Sequence, residues 1–106
     1  MSVLKITNKN FEEEVLNSDK PVIIDFYADW CGPCKAMSPV VEALAEEYAG
    51  KIKVGKINVD NNQDIAMKYG VMSIPTFIFF KDGKNVSKTV GMQTKRELVN
   101  AIEALL

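Results

Sequence analysis

A chain of 106 residues, 47% of them hydrophobic and 25% charged, is long enough for one domain with a real core and too short for two. Its net charge of -1 leaves no basic face for nucleic acid and no acidic tail, and no stretch approaches the roughly 20 apolar residues that span a bilayer. Histidine is absent, which excludes Cys-His proteases, Ser-His hydrolases and histidine-ligated metals; chemistry must rest on Cys, carboxylates, Lys and the backbone.

The opening Met1-Ser2-Val3-Leu4-Lys5 has no basic region followed by a long apolar core, so it is not a secretory leader and a cytoplasmic location is expected. Residues Val3 to Ile6 predict a short first strand. Thr7 and Asn10 compete to cap a helix running to about Leu16, and Asn10 has Glu13 placed as in a capping box. A turn over 17–21 leads to Val22–Ala28, a dense apolar run that predicts a central strand buried on both faces, with one charge in it, Asp25. Met37, Val40, Val41, Leu44, Ala45 and Tyr48 then recur as one helical stripe, with Pro39 inside it as an expected kink and Gly50 at its end.

Residues Ile52 to Val59 alternate like a strand, and Asn61 or Asn62 can cap a short helix ending near Tyr69-Gly70. The β-prone run Thr76–Lys81 is joined by Asp82-Gly83 to Val86–Val90, a strong hairpin signal. Thr94 and Glu97 form a capping box opening a last helix with Leu98, Ile102 and Leu105 on its apolar side. The order β-α-β-α-β-α-β-β-α predicts a single α/β domain over 1–106 with a largely parallel sheet and helices on both faces.

Trp30-Cys31-Gly32-Pro33-Cys34 falls between the buried strand and the long helix, where ligands usually meet an open α/β sheet. Pro33 suits the first helical position. The free N–H groups and the helix dipole favour a negative sulfur at Cys31. Cys34, one turn in, can reach Cys31 while staying less exposed. One thiol attacks and the other resolves. A structural disulfide would close too short a loop to constrain the unfolded chain much. A zinc site would need ligands that a chain with two cysteines and no histidine lacks, so no metal is expected. Two inert core cysteines remain a further alternative. Asp25 shares a strand face with Ile23 and Tyr27, where a buried carboxylate would have a raised pKa unless it reaches solvent at the strand end.

The block Asp25-Phe26-Tyr27-Ala28-Asp29-Trp30-Cys31-Gly32-Pro33-Cys34-Lys35 resembles the active-site signature of the thioredoxin family. Lys56-Ile57-Asn58-Val59-Asp60, Ile74-Pro75-Thr76-Phe77 and Val90-Gly91 match its other landmarks in order, from about Ile6 to the C-terminus. The resemblance implies a five-stranded mixed sheet flanked by four helices, and a redox-active Cys31–Cys34 disulfide with no bound cofactor. It implies a cis Ile74-Pro75 bond facing the dithiol and offering the Ile74 backbone to an extended substrate. It places Lys56 beside Asp25 below the cysteines, where the pair relays a proton to and from Cys34. It makes Trp30, Gly32, Pro33, Val71, Met72, Ile74, Pro75, Gly91 and Met92 a shallow, mostly apolar substrate platform.

The same resemblance implies thiol–disulfide exchange with protein disulfides, recharging by a thioredoxin reductase that is a flavoprotein using NADPH, and a monomer. Tyr27 departs from the family pattern where a second Trp is frequent, and Met72 where a small or polar residue is common. An oxidase or isomerase of the same fold is one rival, disfavoured because oxidising relatives usually carry His between the cysteines. A binding subunit of a larger assembly, indifferent to loss of both cysteines, is the other.

Overall fold

The apolar run after Pro21 forms β2 (Val22–Tyr27), the central strand of a five-stranded sheet in the computed structural model, which describes residues 3–106. Met1 and Ser2, which begin the segment read for a leader, lie outside the described residues. The other strands are β1 (Leu4–Lys5), β3 (Lys53–Asn58), β4 (Thr76–Lys81) and β5 (Lys84–Val90), and the spatial order is β1-β3-β2-β4-β5. Strands β1, β3 and β2 run parallel, while β4 is antiparallel to both β2 and β5. The sheet is therefore mixed, and with four helical segments the fold is the one the family resemblance implied.

Alternation along β2 divides the core in two. Ile23 points to the face covered by α1 (Gly32–Glu47) and α3 (Lys95–Glu103), with Met37, Leu44, Phe77, Phe79, Leu98 and Ile102 around it. Val22, Ile24 and Phe26 point to the other face, covered by a helical turn over Glu12–Leu16 and by α2 (Gln63–Lys68). There Phe11, Tyr69 and Phe80 meet edge-on or tilted, with ring centroids 5.4–5.8 Å apart. Because β2 is buried on both faces, Asp25 has no route to solvent through the sheet.

The local signals divide the same way. Asp82 (φ 53°) and Gly83 (φ 79°) both adopt left-handed conformations, the geometry of the tight hairpin turn that their sequence predicted. A Cβ on Gly83 would also lie 2.8 Å from the Leu16 carbonyl oxygen, so the turn tip packs against the opposite face's first helical turn. Thr94 and Glu97 close the predicted capping box, with Oγ1 accepting from Glu97 N at 3.1 Å and the Glu97 carboxylate accepting from Thr94 N at 2.8 Å.

Asn10 does not build the box expected with Glu13. Its side chain turns back instead, accepting from Thr7 N at 2.7 Å and donating to the Lys5 carbonyl at 3.1 Å, while Thr7 Oγ1 accepts from Lys9 N. Thr7 opens the turn before the helix, its carbonyl accepting from Phe11 N at 3.0 Å, and Phe11 is the N-cap, with no side-chain cap. The turn beyond it is π-wound, with Asn17 N donating to the Glu12 carbonyl at 2.9 Å. The long helix α1 runs unbroken past Pro39. It starts at Gly32, so Pro33 takes the second helical position rather than the first, where a missing N–H is equally harmless. Among the described residues, no helix is long and apolar enough to cross a membrane.

Candidate active site

Strand β2 and helix α1 converge on the two cysteines. Cys31 is the N-cap of α1, with extended backbone (φ -87°, ψ 111°), and its sulfur accepts from the Cys34 N–H at 3.1 Å. The pair is disulfide-bonded, with Cα atoms 5.2 Å apart. A sulfur that caps a 16-residue helix faces free N–H donors and the positive end of the dipole, which favours its thiolate once the bond is reduced.

The structure does not separate the cysteines by exposure: Cys31 is 4% exposed and Cys34 5%. What separates them is the cavity each one lines. Cys31 borders an outer groove of about 530 Å³ with Trp30, Gly32, Pro33, Val71, Met72 and Ile74. Cys34 borders an inner cavity of about 380 Å³ with Asp25, Tyr27, Lys56, Lys35, Asp29 and Ser38.

The groove is apolar and open, with Trp30 71% and Met72 96% exposed. The Trp30 indole is not loose, because its Nε1–H donates to Asp60 at 2.8 Å. The Ile74–Pro75 peptide bond is cis. The Ile74 carbonyl oxygen lies 4.0 Å from Cys31 Sγ. Gly91 is tied to the same loop through its N–H, which donates to the Pro75 carbonyl at 2.8 Å, and Met92 follows it, exposed. Neither Gly91 nor Met92 borders the groove itself. Val59 and Ser73 do; Val59 lay in a quoted landmark without a role, and Ser73 lay in none. Both sit in loops brought there only by the sheet order. Asp60 lay within a quoted landmark without a role, and its partner is set by the loop after β3.

Asp25 lies one strand over from Lys56 in exact register on parallel neighbours, and both side chains belong to the α1 face. The carboxyl is 6% exposed, and its Oδ1 has no hydrogen-bond partner. Burial pushes its pKa from 3.8 up to about 7, and the Lys56 charge offsets only part of that rise. The Lys56 ammonium lies over the Tyr27 ring, 5.5 Å from its centroid. Among the described residues, no salt bridge joins it to Asp25.

Burial of the carboxylate is a large penalty. A rise of that size corresponds to about 4 kcal/mol against the charged form well above neutrality. Fully burying one Phe contributes about 2–3 kcal/mol. Phe26, Phe77, Phe79 and Phe80 are all buried to this degree.

The thioredoxin family model matches residues 2–104. A thioredoxin of the red alga Porphyra purpurea is 50% identical over 102 residues, covering 96% of this chain and 95% of the relative. Thioredoxins of Haemophilus influenzae (49% identical, 94% of each chain) and Pseudomonas aeruginosa (45% identical, 96% of this chain and 94% of the relative) are similar over nearly the same span. These matches run the length of the domain whose geometry sets a dithiol at a helix N-terminus between a groove and a buried acid. Its chemistry is dithiol–disulfide exchange through Cys31 and Cys34, and the chain belongs to the thioredoxin family.

Proposed function

We propose that the protein is a monomeric protein-disulfide reductant of the cytoplasm, working without a bound cofactor and recharged by an NADPH-dependent flavoprotein thioredoxin reductase. The observation that carries this is the position of the disulfide between two unlike cavities, one apolar and open to partners, the other holding a buried acid. The Cys31 thiolate attacks one sulfur of a protein disulfide; that bond breaks, the other sulfur leaves as thiolate, and a mixed disulfide forms. Cys34 then loses its proton and attacks the Cys31 sulfur. The substrate departs with two thiols, and the protein keeps the Cys31–Cys34 disulfide.

Asp25 takes the proton from Cys34, since the two share a cavity large enough for water to bridge them and the acid titrates near neutrality. Lys56 tunes that acid by its charge. The outer surface, from Trp30, Gly32, Pro33 and Met72 to Ile74, Pro75, Gly91 and Met92, receives the extended substrate, with the Ile74 backbone as the polar contact nearest the sulfur. A reducing compartment suits a dithiol that must be returned to the reduced state.

A charge placed in the groove tests the platform. Met72→Glu should lower kcat/KM for a protein disulfide about tenfold, because an apolar contact becomes a desolvated carboxylate. Reduction of a small aromatic disulfide by the same variant should be nearly unchanged. An equal loss for both substrates, or none for the protein, would remove Met72 from the platform.

A further inference from the structure

The exchange steps leave Tyr27 without a task, although it touches every part of the inner site. It ends β2 on the Asp25 face, packs against the Ala28, Cys31 and Cys34 cluster, and lines the cavity shared by Asp25, Cys34 and Lys56. Strand register puts Lys56 directly beside Asp25, so its four-carbon stem has two acceptors for the charge within reach, a carboxyl and an aromatic ring. In the structure the ammonium sits over the ring. A closed ion pair would hold the carboxyl ionised and leave it a poor proton carrier at neutral pH.

We propose that Tyr27 is a positioning residue: its ring holds the Lys56 ammonium away from the Asp25 carboxyl and keeps that acid available to Cys34. The proposal rests on the role given to Asp25 above. Tyr27 acts through Lys56 and not through a charge of its own. Burial, then the Asp29 and Asp25 carboxylates, raise its own pKa against the lowering effect of Asn58, so the phenol stays neutral. The other groups facing the cavity are Asp29 beyond β2, and Lys35, Ser38 and Cys34 on α1; β4 presents Phe77 beside Asp25. Asp29, Lys35 and Ser38 are exposed, so solvent screens the two charges among them more than it screens Lys56.

The test is the pH profile of single-turnover reduction of a chromogenic disulfide by the fully reduced protein. Tyr27→Leu frees the ammonium to close on Asp25 and should lower the neutral midpoint by about half a pH unit, about threefold in the acid–base equilibrium. Tyr27→Phe keeps the ring and should keep the midpoint. In a Lys56→Met background, Tyr27→Leu should move nothing, which a merely structural role for the ring does not predict. Tyr27→Met repeats the substitution should leucine impair folding.

An unmoved midpoint in the ring-less variants, an equal shift in Tyr27→Phe, or a shift that persists without Lys56 would overturn the proposal. Asp25→Asn separates the two claims. Loss of the neutral midpoint there upholds the role of Asp25 whatever Tyr27 does, and its persistence overturns both.

Discussion

Replacing Cys34 with Ser should arrest the reaction at the mixed disulfide: Cys34→Ser should accumulate a covalent adduct on Cys31, and Cys31→Ser should accumulate none. The helix N-terminus and the groove both belong to Cys31, so attack survives loss of its partner. Resolution requires a second thiol one turn along α1, and Ser cannot supply it. Turnover should fall by a factor on the order of a thousand or more in either variant, because each removes a covalent step outright. Mass spectrometry of the protein mixed with a disulfide substrate reads the site of the adduct. Adducts on Cys34 would invert the two roles.

Removing the buried acid should stabilise the protein while slowing it. Asp25 has its pKa raised from 3.8 to about 7, so the folded state binds the proton more tightly than the unfolded state. The stability this contributes is complete below the unfolded value and is lost as pH rises through about 7. At pH values above neutral the ionised carboxylate is a net penalty. Asp25→Asn and Asp25→Ala should therefore raise Tm by about 5–10 °C at mildly alkaline pH, where about 1–2 kcal/mol remains after the cost of an unpaired amide or a small cavity. The advantage should shrink as pH falls toward the unfolded pKa, where the wild-type carboxyl is already protonated in the fold. Exchange should slow together with this gain. A variant that melts lower and exchanges at full rate would show a well-paired charge, and Asp25 would lose its place in proton transfer.

How much of this was legible in the sequence depended on how local each determinant is. The Asp82-Gly83 turn and the Thr94–Glu97 box each hold all their partners within a few residues, and the structure keeps both as expected. Asn10 had an equally local signal with Glu13. It fails because the Asn10 side chain is taken up by Thr7 N and by the Lys5 carbonyl at the end of β1. Alternation in β2 was enough to place Asp25 against a buried face, since Ile23 fixes which way it points.

Alternation could not say where the end of Lys56 goes. That depends on a ring two residues past Asp25 on a neighbouring strand. The groove was legible at Trp30 and Ile74, which belong to the quoted motifs, and at Met72, two residues before one of them. The part taken by Val59, quoted without a role, and by Ser73 was not legible, because the two arrive from loops joined only by tertiary packing. The difference between the cysteines was expected as one of exposure and is instead one of surroundings, since the two residues are almost equally buried and line different cavities.

The central claim is that Cys31 and Cys34 donate electrons to other disulfides rather than withdraw them. Equilibrium titration of the pair against glutathione measures this directly. A reductant of this family should give a potential near about -270 mV, a value carried over from thioredoxin itself and not obtained from the geometry. A potential near the roughly -120 mV of a strong oxidant would contradict the account, whatever the fold.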